Sequence, residues 1–137
     1  MTWALWAAMT AGLASALIAL YGHYRDLHAW LTGPNTCTLE GGGCQALFRT
    51  PRAALLGVPN ALLAALFYPL LAFGLRAGWN LPLLLGGASV ALAMSAFLAW
   101  SLLSRNLECR ICWAGHWANL AIWGILAWRA AQPAAAP

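Results

Sequence analysis

Charge is what this chain has least of. Only 7% of its 137 residues are Asp, Glu, Lys or Arg, while 63% are hydrophobic. A soluble domain carries about 25% charged side chains, and a water-soluble fold of this size could not hide so much apolar surface. Lipid is therefore the solvent for most of the chain. Lysine is absent, and seven arginines against three acids give a formal net charge of +4. Those arginines (Arg25, Arg49, Arg52, Arg76, Arg105, Arg110 and Arg129) mark helix ends and loops. They form no basic stripe, which excludes nucleic acid as a partner. No internal repeat is evident, and no soluble domain is expected beside the apolar segments. A basic stretch ahead of the first apolar run is also missing. With that run too long for a signal sequence, a cleaved leader is not expected.

What is present is four long apolar segments, at about 3–21, 57–75, 81–103 and 109–128. A bilayer core of about 30 Å takes about 20 helical residues to cross. The expected fold is thus an all-α integral membrane protein, a bundle of four transmembrane helices forming one domain over residues 1–130. Residues 131–137, rich in Ala and Pro, are expected to be an unstructured tail. Short connections at 76–80 and 104–108 force neighbouring helices to be antiparallel. Nine tryptophans fit the same picture. Trp3, Trp6, Trp30, Trp79, Trp100, Trp113 and Trp128 fall near the ends of the runs, where indoles favour the headgroup layer.

The chain also has four cysteines, in two pairs, and the helix count brings both pairs to one side of the bilayer. Cys37 and Cys44 bracket a polar loop containing Gly41, Gly42 and Gly43. A static disulfide could staple this loop, but so small a ring yields little entropic stabilisation. Three consecutive glycines favour a pair that swings between partners. After it, residues 45–56 mix apolar groups with Arg49 and Arg52, and are expected to form a half-helix lying at the interface. The cysteine loop and half-helix together occupy 33–56.

Cys109 and Cys112 form a CxxC at the mouth of the fourth helix. Such a pair can cycle between dithiol and disulfide, and a second pair nearby can exchange with it through a mixed disulfide. Cys109, Cys112, His116 and Asn119 share one helical face. Polar groups inside a span are costly unless they meet a partner or a cavity. This stripe reads as the wall of an enclosed site; Asn119 could equally be hydrogen-bonding glue between helices, while the place of His116 one turn below a redox thiol favours a substrate role over glue. Asn60, which follows Gly57-Val58-Pro59, lies near the same end and could donate to a ligand carbonyl. Tyr68 lies eight residues deeper, with packing and function both open to it. Pro59 and Pro69 suggest kinks that open space.

Taken together, these residues resemble the vitamin K epoxide reductase family and its bacterial homologues. A loop pair precedes a CxxC at the head of the fourth helix. Cys44-Gln-Ala-Leu-Phe48 is similar to the family's second loop cysteine with its following phenylalanine. Asn60 with Phe67-Tyr68 is similar to the quinone-contacting asparagine and its downstream aromatic pair. Cys109-Arg-Ile-Cys112 with Asn119 resembles the active-site CxxC and its asparagine. The likeness spans about residues 10–128. Two departures stand out: His116 occupies the place of a tyrosine in the vertebrate enzymes, and Thr38 is only loosely placed for the hydroxyl residue near the loop pair. No fused thioredoxin-like domain is expected.

The resemblance implies a thiol–quinone oxidoreductase supporting disulfide formation. Cys37 would accept electrons from a thioredoxin-like, DsbA-type periplasmic partner. Cys44 would pass them to Cys109, and Cys112 would face a lipid quinone of ubiquinone or menaquinone (vitamin K) type. Reduction of a quinone epoxide belongs to the same family chemistry. Asn60 and His116 would support the quinone oxygen, with Phe48, Tyr68 and Asn119 completing the quinone site. No metal is implied. The other membrane disulfide-forming family, DsbB, has its CxxC before the loop pair, so chain order speaks against it. A metal-binding four-helix protein, or a non-catalytic scaffold with structural cysteines, is the alternative. The family reading puts the protein in the inner membrane with its cysteines facing the periplasm. The arginines point the other way, since Arg25, Arg49, Arg52, Arg105 and Arg110 share the cysteine side and the positive-inside rule would put them in the cytoplasm.

Overall fold

The computed structural model of the chain describes residues 2–25, 27, 51–55, 57–104 and 109–132. Four helices carry the described part: α1 (Thr2–Tyr24), α2 (Asn60–Arg76), α3 (Leu81–Ser104) and α4 (Arg110–Ala131). The Cys37/Cys44 loop, Phe48 and the tail from Pro133 lie outside the described residues. Two helices, over Trp3–Tyr24 and Leu81–Ser104, are long and apolar enough to cross a membrane. Helix α2 is equally apolar in character but has only 17 residues. At 1.5 Å per residue it reaches about 26 Å, slightly short of a typical hydrocarbon core. Helix α4 has 22 residues, diluted by Arg110, His116 and Asn119.

Residues 51–59 do not continue a half-helix. Pro51–Ala53 makes one 3₁₀ turn, and Ala54–Leu55 then pairs antiparallel with Val58–Pro59. Proline limits its own and the preceding backbone to geometries that end helices. Gly57, with φ of 85°, takes the left-handed position that the tight turn requires. The second apolar run was expected to become helical at Gly57; the hairpin occupies 57–59 and delays α2 to Asn60.

At the far end of α2 the chain closes a Schellman motif. Gly78 adopts φ of 72°, and the Trp79 amide donates back to the Gly74 carbonyl at 2.9 Å. Trp79 then packs edge-on to Phe73. Asn80 caps α3 by accepting from the Leu83 amide at 2.9 Å. This compact corner returns α3 alongside α2 within four residues.

Helix α4 packs most extensively on α1 and α3, and α1 also packs on α2; of the helices consecutive along the α2–α3–α4 stretch, α2 and α3 touch much less. The core joins Leu5, Met9, Leu71, Leu84, Ile122 and Leu126 with Tyr68. The start of α1 therefore meets the ends of α2 and α4, as an up-and-down bundle requires, and the Arg76 guanidinium lies 5.5 Å above the Trp6 ring. Outward-facing positions are apolar, including Leu66, Phe73, Val90 and Phe97. That pattern suits lipid, in which burying apolar side chains between helices brings little gain and close packing carries association.

One such close approach sets the core spacing. A Cβ on Gly12 would fall 2.6 Å from the Tyr68 hydroxyl oxygen. Gly12→Ala is therefore expected to destabilise the bundle by about 1–3 kcal/mol, the usual penalty for overpacking. Thermal unfolding in detergent micelles checks this, and an unchanged midpoint would mean that the Tyr68 ring yields freely.

Candidate functional site

The site is built from the first turn of α4. Cys109 is its extended N-cap residue, and its sulfur accepts from the Cys112 amide at 3.2 Å. The xx spacing brings the two sulfurs together, and Cys109 and Cys112 form a disulfide with their Cα atoms 5.2 Å apart. Ser15 of α1 fixes this turn from the side. Its hydroxyl donates to the Ile111 carbonyl at 2.6 Å, and a Cβ on Gly115 would stand only 3.0 Å from that hydroxyl oxygen. A bare glycine face on α4 thus lets α1 approach and hold the redox turn.

The two sulfurs have different surroundings. Cys109 is 0% exposed, packed with Ile18, Ala19, Leu27, Leu102 and Ile111. Cys112 is half-buried and lines a partly open cavity of about 470 Å³ to which all four helices contribute. Ligand pockets commonly measure about 300–1,000 Å³ and are mostly apolar with a few convergent polar groups. This cavity fits that description. Its walls are mainly Ala, Leu, Val, Met and Phe, and the weak packing of α2 on α3 leaves it room.

Four of its polar groups are joined. The Tyr68 hydroxyl donates to Asn119 Oδ1 at 2.9 Å, and Asn119 Nδ2 donates to Ser95 Oγ at 2.8 Å. Ser95 Oγ lies 3.0 Å from His116 Nδ1. The imidazole stands edge-on to the Trp113 ring, with centroids 5.8 Å apart. Its other nitrogen, Nε2, is buried and makes no hydrogen bond among the described residues. An unsatisfied buried polar group costs about 1–3 kcal/mol, so a hydrogen-bonding partner at Nε2 would be favourable.

The structure brings together Asn60, Tyr68, Cys112, His116 and Asn119, all of which line the cavity. Asn60 owes its place to the hairpin, which sets it as the first residue of α2. Tyr68, only 3% exposed, directs its hydroxyl to Asn119 rather than into open space. Asn119 joins α2 to α3 as well as lining the wall. Cys37, Cys44 and Phe48 lie outside the described residues. Sequence reasoning missed Ser95, Ser15, Gly12 and Gly115. The serines could have been suspected as polar atoms inside apolar spans, but Ser is ordinary in membrane helices and nothing marks its partner. Among the described residues no three His, Cys, Asp or Glu side chains gather as a metal site.

Tyr68→Phe would strand Asn119 Oδ1 in the core. The expected loss is about 1 kcal/mol, in line with hydrogen bonds between membrane helices. Unfolding free energies in mixed micelles test it, and an unchanged value would show that the Tyr68–Asn119 bond contributes nothing net.

Comparison with protein-family profiles matches residues 3–127 to the Vitamin K epoxide reductase family. No curated protein and no solved structure matches the chain significantly. The match covers nearly the whole chain and agrees with a CxxC disulfide beside an apolar cavity of the helix bundle. Family membership carries with it a thiol–quinone oxidoreductase role in a membrane, and this chain belongs to the vitamin K epoxide reductase family.

Proposed function

We propose that the protein oxidises the dithiol of a thioredoxin-like partner and reduces a lipid quinone, of ubiquinone or menaquinone type. The observation that carries this reading is the asymmetry of the disulfide. Cys109 is enclosed while Cys112 faces a mostly apolar cavity with a few polar groups. A quinone has an apolar ring system and carbonyl oxygens that accept hydrogen bonds, and the cavity supplies apolar walls with Asn60 and His116 among them.

The electron path is as follows. Partner thiols reduce the Cys37/Cys44 pair. The Cys44 thiolate attacks Cys109, forming a mixed disulfide and releasing the Cys112 thiolate towards the cavity. Cys37 then attacks Cys44, restoring the loop disulfide and freeing Cys109. The Cys109/Cys112 dithiol returns to the disulfide as two electrons and two protons pass to the quinone, which leaves as quinol. Asn60 and His116 act on the quinone oxygen, where donors are most effective in a dry site as charge develops. Phe48, Tyr68 and Asn119 complete the wall. The same centre would serve an epoxide of the quinone, with water as the extra product.

In this reading residues 1–130 form one membrane domain in the bacterial inner membrane, and all four helices cross it. Helix α2 suffices if the bilayer thins locally or the hairpin enters the interface. The cysteine end faces the periplasm, where disulfide formation is favoured. The arginines on that side are the observation that opposes this orientation.

Anaerobic mixing of dithiol-reduced protein with short-chain ubiquinone and menaquinone analogues tests the proposal. Quinone absorbance and free thiols should fall together in a one-to-two ratio, as electron balance demands. Cys112→Ala should abolish turnover with every reductant, and retained turnover would remove Cys112 from the centre. Asn60→Ala should slow quinone reduction on the order of 10²-fold, the scale of one lost oxyanion donor. Thiol exchange should stay intact in that variant. An unchanged quinone rate would move the carbonyl contact elsewhere.

A further inference from the structure

The run of hydrogen bonds across the cavity wall has a direction. The Tyr68 hydroxyl is 3% exposed, and its hydrogen-bond partner is Asn119 Oδ1. Reversing the Asn119 amide would leave the phenol proton without an acceptor among the described residues. With Oδ1 occupied by Tyr68, Asn119 presents Nδ2 to Ser95, which accepts through a lone pair. A serine oxygen can accept twice, but Ser95 has no hydrogen-bond partner among the described residues besides Asn119 and His116. If Nδ1 also donated, the serine proton would have no acceptor, so Nδ1 at 3.0 Å is assigned as the accepting nitrogen, and in a neutral imidazole the proton resides on Nε2. That nitrogen is buried, makes no hydrogen bond among the described residues, and belongs to a residue that lines the cavity.

We propose that Ser95 is a positioning residue that holds His116 in its Nε2–H form and so presents a hydrogen-bond donor to a quinone carbonyl oxygen. The inference rests on the quinone reading above for the identity of the acceptor. It rests on the described geometry alone for the tautomer. His116 does not transfer its proton in this scheme. It stabilises charge on the oxygen, and the protons that complete the quinol come from the two cysteine thiols. Ser95 touches no substrate. Its part is to keep the wrong tautomer, with a lone pair facing the oxygen, from forming.

The test has two readouts on the full chain in detergent. Nitrogen-15 spectra of histidine-labelled, oxidised protein without quinone report the tautomer, with His116→Gln assigning the signal among the three histidines. Wild type should show Nε2–H, and Ser95→Ala should shift the signal towards a mixture of forms. Quinone turnover forms the second readout. Ser95→Ala should lower kcat about tenfold, less than the ~10²–10³ of a deleted donor because part of the population keeps the right form. Ser95→Thr, which keeps the hydroxyl, should recover most of that loss. Glutamine mimics Nε2–H and has no tautomer to set, so adding Ser95→Ala to His116→Gln should cost less than about twofold.

An Nδ1–H signal in wild type, or a tautomer unmoved by Ser95→Ala, overturns the inference. So does a tenfold loss that persists in the His116→Gln background, since Ser95 would then act by packing. Wild type with the Nε2–H signal but no quinone turnover overturns the proposed function and leaves the tautomer assignment standing.

Discussion

Three helices of this bundle are joined at depth by one run of polar atoms, from Tyr68 through Asn119 and Ser95 to His116. In a bilayer there is no water to take over a broken bond, so each atom in the run depends on the next. The run decides more than stability. It ties α2, α3 and α4 together around the cavity, and it ends at His116, a cavity-lining residue whose Nε2 makes no hydrogen bond among the described residues.

Around that run, tight and loose packing are distributed unevenly. Helix α1 comes very close to Tyr68 at Gly12 and holds the head of α4 through Ser15 at Gly115. Helix α2 contacts α3 only weakly, and the cavity lies where their packing is poor. Lipid offers little hydrophobic driving force for filling such a gap. A cavity of about 470 Å³ is therefore easier to keep open here than in a soluble core of the same size. The glycine contacts hold the remainder rigid, so that the opening does not spread.

The sequence made the architecture legible because lipid leaves few choices. The last three apolar runs, separated by short polar turns, can scarcely be anything but neighbouring antiparallel helices, and helix boundaries at Leu81, Ser104 and Arg110 follow from them closely. The face carrying Cys112, His116 and Asn119 was equally visible from spacing, since helical periodicity is local. The hairpin at 54–59 was not, because a two-residue strand pair has almost no pattern and only Gly57 hints at it. Nor was Ser95. Its importance comes from meeting His116 and Asn119 across an interface 21 and 24 residues away in sequence. Spacing along one helix cannot reveal what a neighbouring helix brings opposite.

Enclosure of Cys109 has a consequence for the economy of the cell's thiols. A disulfide whose outer sulfur lies beneath Ile18, Leu27 and Leu102 is a poor target for any reductant that merely diffuses past. Small soluble thiols meet an apolar seal, whereas the chain-borne cysteine of the proposed relay would not depend on such encounters. On the relay proposed above, burial would act as electrical insulation. It would keep the quinone side apart from the surrounding thiol buffer, with current passing through a protein-borne contact, so that the two could stand at different potentials without short-circuiting.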